Sequence, residues 1–363
     1  MKDDFVFEVH WYDSNSEQTR KFLLTFYPGD NSVEMFDPKI RKIFLKRIHC
    51  SGVDAKDFYI GNSVVIFSRR LQIVDYGSEA TRIRLNSHSE TTIAVIRPGG
   101  ISSLGDILKD IDTCGYTLGK ARMVQLDSQC AREFIFSKRE DEDFEEIIEE
   151  LTSGPIIALE IMGEKVVCGW RSHIESDSKH KLNFVQFDST QNVSKDLEFF
   201  FSNPYRAKSS ANCRNSTCCI IKPHAIKEGQ LSSIIQDIQS HEHFKITALE
   251  SFHLRYANAE EFFEIYKGIV EDYSGMVKEL SSGRCIALEI SDTRSNLNEN
   301  NTEVVSRFRE IVGPSDPTLC KTLRPHSLRA KYGRSKDHNA VHCTDLPEDG
   351  VLELEYFFQI LQH

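Results

Sequence analysis

The sequence predicts an α+β protein in which two tandem ferredoxin-like (βαββαβ) units follow a small all-β unit. Three observations predict it. The first 90 residues break into short segments rich in β-branched and aromatic residues, separated by turn signals. A twelve-residue segment recurs: Glu150–Ile161 (ELTSGPIIALEI) and Glu279–Ile290 (ELSSGRCIALEI) share nine positions, at an offset of 129. The opening of each copy recurs as well, in Ile93–Pro98 (IAVIRP) and Cys218–Pro223 (CCIIKP), at an offset of 125. Two similar offsets over a long span mean a duplicated domain, not a short solenoid repeat. The expected limits are 1–90 for the β unit, 91–205 for the first copy and 206–363 for the second.

In order, the strands of the first unit are expected at Phe5–Trp11, Lys21–Phe26, Ser32–Phe36, Lys42–Ile48, Val64–Phe67 and Leu71–Tyr76. Pro28-Gly29-Asp30-Asn31 is a strong turn between two of them. Such even spacing suggests an antiparallel sheet or barrel. The first copy opens with an apolar strand, Thr92–Ile96, then Pro98-Gly99-Gly100 and a helical pattern from Ser102 to Asp112. The order strand, helix, strand, helix, strand in each copy fits a split βαβ unit. The acidic run Glu140–Glu150 reads as a solvated helix face, with Phe144, Ile147, Ile148 and Leu151 turned inward. Ser202–Thr217 is polar and rich in small residues, and reads as the linker between copies. Asp292–Glu303 reads as a polar insertion loop without chemistry.

Composition narrows the function. A chain of 363 residues is long enough for two or three domains. With 40% hydrophobic and 27% charged residues it is of the globular class. A formal net charge of -11 argues against duplex nucleic acid as a partner. No apolar run approaches the roughly 18 residues of a membrane span. Met1-Lys2-Asp3-Asp4 lacks the apolar core of a signal peptide, so the cytosol is expected. The ten cysteines form no C-x-x-C pair, which points to free, mostly buried thiols and away from zinc.

The second copy carries a dense set of motifs. Lys222-Pro223-His224-Ala225 follows its first strand. Arg309 stands four residues before Gly313, which opens Gly313-Pro314-Ser315-Asp316-Pro317. Leu328-Arg329-Ala330-Lys331-Tyr332-Gly333 follows, then Asn339-Ala340-Val341-His342-Cys343-Thr344-Asp345, and Glu353 lies eleven residues after His342. In this order, over about 140 residues, the set resembles the nucleoside diphosphate kinase family. The family has aspartate where His224 stands, glycine where Cys343 stands and serine where Thr344 stands. The whole layout resembles a ciliary branch of that family, which has an N-terminal DM10 domain of PH-like β structure, a degenerate kinase copy and an intact one. The residues that carry this wider likeness are Val9–Asp13 (VHWYD), Phe26–Met35 (FYPGDNSVEM), Phe44-Leu45-Lys46-Arg47, Ile60-Gly61-Asn62, Phe67-Ser68-Arg69 and Val74-Asp75-Tyr76-Gly77.

The resemblance implies a two-step transfer in which His342 takes the terminal phosphate of ATP or GTP and passes it to a nucleoside diphosphate. A neutral imidazole is nucleophilic near neutral pH, and a covalent intermediate gives ping-pong kinetics. Lys222, Arg309 and Arg329 would neutralise the phosphates, and Tyr266 and Thr344 would donate hydrogen bonds. Asn339 would contact the sugar and the Ser315 hydroxyl the phosphates. Glu353 would hold the ring nitrogen that does not attack. Tyr273 is either a neighbour of the base or core packing. Magnesium would be held by the nucleotide and water, with no protein ligand.

The first copy is expected to be inactive. Arg97 replaces the lysine, about 28 residues covering the clamping loop are missing, and Gln186 replaces the histidine. This suggests a packing or docking module in a monomer whose two copies pack pseudo-symmetrically. The resemblance to the ciliary branch implies a second class of function beside the enzyme: a structural protein of axonemal doublet microtubules, binding tubulin and neighbouring axonemal proteins. Its location would be the cytoskeleton of the cilium or flagellum, with basal body or centrosome as alternatives. Lys39–Arg47 (KIRKIFLKR) is either a basic patch for such a partner or an amphipathic strand with solvated charges.

Overall fold

The computed structural model describes residues 4–13, 16, 18–60, 62–86, 90–136, 144–176, 182–185, 193–202, 206–294 and 302–362. Six strands form the N-terminal sheet: β1 (Phe5–Asp13), β2 (Gln18–Tyr27), β3 (Ser32–Asp37), β4 (Lys42–His49), β5 (Ser63–Ile66) and β6 (Arg69–Tyr76). Each of the six expected strands is present, and their order is β4-β3-β2-β1-β6-β5, antiparallel throughout. Side chains alternate across a strand. Phe7 and Val9, Phe22, Leu24 and Phe26, and Leu71 and Ile73 are accordingly buried on one face. Phe58, from the connection after β4, stacks on Phe26 and Phe7 at 4.3 and 5.4 Å. The all-β expectation misses one element, helix α1 (Glu79–Asn86), which has little apolar character of its own. Thr81 ties it to the sheet by accepting the Val6 N–H at 2.8 Å.

The first copy runs β7 (Glu90–Ile96), a 3-10 turn, α2 (Leu104–Thr113), β8 (Thr117–Gln125), α3 (Ser128–Phe134), α4 (Phe144–Thr152), β9 (Ile156–Gly163), α5 (Val166–Ser176) and α6 (Val193–Phe201). Ile147, Ile148 and Leu151 of α4 are buried, as their helical spacing predicts, and Phe144 is half-buried. The second copy runs β11 (Ser216–Ile221), α7 (Pro223–Lys227), α8 (Leu231–Gln239), β12 (Phe244–His253), α9 (Tyr256–Phe262), α10 (Tyr273–Leu280), β13 (Arg284–Asp292), α11 (Thr302–Val312), α12 (Pro317–Leu323), α13 (Leu328–Tyr332), β14 (Val341–Cys343) and α14 (Gly350–Phe358).

The two copies share one antiparallel sheet of order β14-β11-β13-β12-β8-β9-β7. Within each copy the first and third strands lie side by side, with the second strand on the inside at the seam. The copies therefore meet through β8 and β12, where Arg122 lies opposite Glu250. The place of β14 in the first copy is taken by a single bridge between Ile96 and Phe184. Arg122 is buried at the seam, with Nε 3.3 Å from Glu250 Oε1 and Nη1 donating to the Phe200 carbonyl at 2.9 Å.

Helices α2 and α8 cross over one face of this sheet and build a core common to both copies, including Leu104, Ile107, Ile234, Ile235 and Ile238. Gly105 permits the approach, because a Cβ there would lie 2.9 Å from the Gln236 backbone nitrogen. From residue 206 on, the segment read as a linker is ordered structure. Its Lys208–Ser209 forms β10 against β8, and the Asn212 and Cys213 N–H groups donate to the buried Glu289 carboxylate. Ser216 and Thr247 donate their hydroxyls to the same group. That set of donors is why a carboxylate survives in the buried run Cys285–Ile290. Residues 140–143 of the acidic run and 295–301 of the insertion loop lie outside the described residues.

Candidate active site

The site is built where β11, β14 and α14 meet. Lys222 follows β11, and the Pro223 that starts α7 cannot continue a strand ladder. Its N–H donates to the Ala340 carbonyl at 2.9 Å, which fixes the two segments side by side. Ile220 then lies opposite His342 in the antiparallel pair. Helix α14 packs Leu354 and Phe357 into the core on this side and brings Glu353, in its first turn, under the histidine.

The His342 ring is buried, and its Nε2 lies 3.0 Å from Glu353 Oε1. A carboxylate accepts only, so Nε2 carries the proton and Nδ1 presents its lone pair. Nδ1 has no hydrogen-bond partner among the described residues. Glu353 Oε2 accepts the Thr344 hydroxyl at 2.8 Å, and Thr344 Oγ1 accepts the Cys218 N–H at 3.1 Å. Phe262 and Phe263 meet the imidazole edge-on at 5.3 and 5.6 Å, which fixes the ring plane.

The cations on the neighbouring segments are held in different ways. Lys222 is buried, and its Nζ donates to the Asp337 carbonyl at 3.1 Å. Burial, reinforced by the Arg329 charge, lowers its pKa to about 8, against the pull of Glu279 and Asp337. Arg329 is also buried, with Nε donating to the Val341 carbonyl at 3.1 Å and Nη1 to the Gly313 carbonyl at 2.9 Å. It thus ties the clamping loop to the strand that carries His342. Arg309 is more exposed and pairs with Asp345, Nη1 to Oδ1, at 2.5 Å. The Tyr266 hydroxyl donates to the other oxygen of Asp345 at 2.7 Å. Burial raises the Asp345 pKa, but that hydroxyl and the charges of Arg309 and Arg329 outweigh it and hold the carboxyl below its usual range.

Asn339 Nδ2 donates to the Ser315 carbonyl at 3.0 Å, while its Oδ1 is buried and has no partner among the described residues. Ser315 itself is exposed. Tyr273 stands apart from this group: its hydroxyl donates to the Glu260 carbonyl at 3.1 Å, tying α10 to α9. The structure thus gathers His342, Glu353, Thr344, Lys222, Arg329, Arg309, Tyr266, Asn339 and Ser315, and leaves Tyr273 at the rim.

Two pairings in the site carry no signal in the sequence, although His224 and Asp345 themselves stand in its motifs. Asp345 joins Arg309 to Tyr266, which lies 79 residues before it in the chain. The second is a buried His224–Glu279 pair beneath Ala340, with Nδ1 2.6 Å from Oε1. In both cases the partners are distant in sequence, so spacing does not reveal them.

The first copy has spent its corresponding charge. Arg97 Nη1 lies 2.6 Å from Glu150 Oε2, and its Nε donates to the Phe184 carbonyl at 2.8 Å. Gln186 lies outside the described residues.

The nucleoside diphosphate kinase family model matches residues 90–184 and 215–362, and the DM10 domain model matches residues 2–79. Over 384 aligned residues the chain is 40% identical to nucleoside diphosphate kinase homolog 7 of Rattus norvegicus, covering 100% of this chain and 95% of the relative. The Mus musculus homolog 7 gives the same figures. A nucleoside diphosphate kinase of Aquifex aeolicus is 31% identical over 146 residues, 40% of this chain and 95% of its own. A solved structure of the Aquifex aeolicus enzyme covers 40% of this chain and 96% of its own, at 30% identity and a TM-score of 0.35. The likeness is shared by both copies and extends over the full length of the chain, which belongs to the nucleoside diphosphate kinase family.

Proposed function

We propose that the second copy transfers the terminal phosphate of a nucleoside triphosphate to a nucleoside diphosphate through His342. The observation that carries this reading is the 3.0 Å contact of His342 Nε2 with Glu353, which leaves Nδ1 of the neutral ring unprotonated. In the first half-reaction Nδ1 attacks the γ-phosphorus. An N–P bond forms, the bond from phosphorus to the β–γ bridging oxygen breaks, and the diphosphate leaves with the electron pair. In the second, an oxygen of another diphosphate attacks the same phosphorus and Nδ1 leaves. Lys222, Arg309 and Arg329 supply charge for the phosphate oxygens. Among the described residues no cluster of three or more carboxylate, histidine or cysteine ligands could hold a metal. Magnesium would be carried on the nucleotide phosphates and water. Steady-state transfer from ATP to a second nucleoside diphosphate should give the parallel double-reciprocal lines of a ping-pong reaction. Intersecting lines, or turnover in His342→Ala equal to wild type, would rule the route out.

The second reading is that the chain also serves as a structural protein on axonemal microtubules. What supports it is β4, an edge strand whose neighbourhood carries Lys39, Arg41, Lys42, Lys46 and Arg47 with Ile40, Ile43 and Ile48 exposed, in an otherwise acidic protein. The charge pattern suits an acidic surface such as tubulin. Co-sedimentation with microtubules by wild type and His342→Ala alike supports this reading. Loss of binding in His342→Ala, with binding unchanged when Lys39, Arg41 and Lys42 become glutamate, counts against it.

A further inference from the structure

We infer that His224 is a positioning residue for the nucleophile, acting as hydrogen-bond acceptor for the strained residue two places before His342. This rests on the phosphotransfer reading above and names a residue in its support. Ala340 lies in the left-handed region, at φ 68°, where a residue with a Cβ persists only if its surroundings hold it. Two contacts hold it. The Lys222 N–H donates to its carbonyl at 2.9 Å, and its own N–H donates to His224 Nε2 at 3.2 Å. The second contact requires Nε2 to bear the lone pair, hence the proton on Nδ1. Glu279 enforces that tautomer: its Oε1 lies 2.6 Å from Nδ1 and also accepts the His224 N–H at 2.9 Å. His224 and Glu279 are both buried.

His338, from the segment before β14, places Nε2 3.2 Å from Glu279 Oε2 and its ring 4.9 Å from the His224 ring. Glu279 also acts on the Lys222 charge. The chain of contacts thus runs from α10 through Glu279 and His224 to Ala340, and from there along two residues to His342. In the first copy the residue equivalent to Glu279 is Glu150, and it is consumed by Arg97. The acceptor arrangement belongs to the second copy.

Three proteins test it: wild type, His224→Ala and His224→Gln, each the full chain. Glutamine can set an acceptor oxygen where Nε2 stands. The rate of His342 phosphorylation from γ-labelled ATP and the hydrogen exchange of the Ala340 amide are measured for each. The expected result for His224→Ala is a rate lower by about 10–100-fold, the cost typical of losing an outer partner, with little change in nucleotide KM and faster Ala340 exchange. His224→Gln should recover most of both. A wild-type rate and unchanged exchange in His224→Ala would overturn the inference, as would equal losses in Ala and Gln with unchanged exchange. If wild type takes no label, the phosphotransfer reading fails. The exchange comparison then decides alone whether His224 holds Ala340.

Discussion

Glu353 holds His342 with one carboxylate oxygen, 3.0 Å from Nε2, and Thr344 with the other, at 2.8 Å. One side chain from α14 therefore sets the tautomer of the nucleophile and anchors the strand that bears it. Glu353→Ala removes both and leaves the buried Thr344 hydroxyl without an acceptor for its proton. The expected effect is a fall in the rate of His342 phosphorylation of about 10–100-fold, with nucleotide KM little changed. Single-turnover kinetics with labelled ATP measures it.

Lys222 gives a pH dependence. In the folded protein its pKa is about 8, against 10.5 for an ordinary lysine. The ammonium is charged below pH 8 and lost above it, so phosphate affinity should fall as pH rises through about 8. A bound polyphosphate stabilises the charge. The alkaline limb of kcat/KM, which reports free protein, should therefore lie below that of kcat. For stability the sign is opposite. The cost of burying the charge is fully present below pH 8 and is relieved as pH rises toward 10.5, because the unfolded chain then binds more protons than the folded one. Replacement by methionine should remove the kinetic limb.

Arg309 and Arg329 should separate in mutagenesis. Arg309 is partly exposed and its ion pair with Asp345 is worth little, so Arg309→Ala should change stability by less than about 1 kcal/mol. Its effect belongs to catalysis, on the order of 10²–10³ in rate if the guanidinium meets the phosphate. Arg329 is buried and bonded to the carbonyls of Val341 and Gly313. Arg329→Ala leaves both unpaired and should cost about 2–6 kcal/mol in addition to activity. Denaturant unfolding of the two variants, beside their turnover, reads the difference.

Gly105 tests the joint between the copies. A valine there drives its Cβ to 2.5 Å from Gln236 Cγ and 2.9 Å from the Gln236 nitrogen. Helix α8 must then shift away from α2, at a cost of about 1–3 kcal/mol. A lower melting temperature is expected, with activity per folded molecule retained. An unchanged melting temperature would mean that the crossing is looser than described.

Much of this was legible in the sequence, for identifiable reasons. The N-terminal strands show because one face is buried and alternation marks it, as at Phe22, Leu24 and Phe26. The duplication shows because β13 and β9 are central strands, covered on both faces, and keep nearly the same apolar run. Helix α1 did not show, since Glu79–Asn86 has no apolar stripe. The polar segment before β11 read as a linker because its role, donating to Glu289, depends on a partner 76 residues away. Arg329 read as a phosphate ligand from its motif, whereas two of its donors are committed to backbone carbonyls. His224, Glu279 and Asp345 lie in separate segments whose meeting only the fold brings about.

The most direct test of the central claim is the chemical fate of a γ-phosphate. Purified wild type and His342→Ala are incubated with γ-labelled ATP and magnesium, and the label is assayed for acid lability and for transfer to added GDP. The account predicts an acid-labile phosphohistidine at residue 342 in wild type, absent from the variant, that chases fully onto GDP. A folded wild-type protein that takes no label, or equal label on His342→Ala, would contradict it.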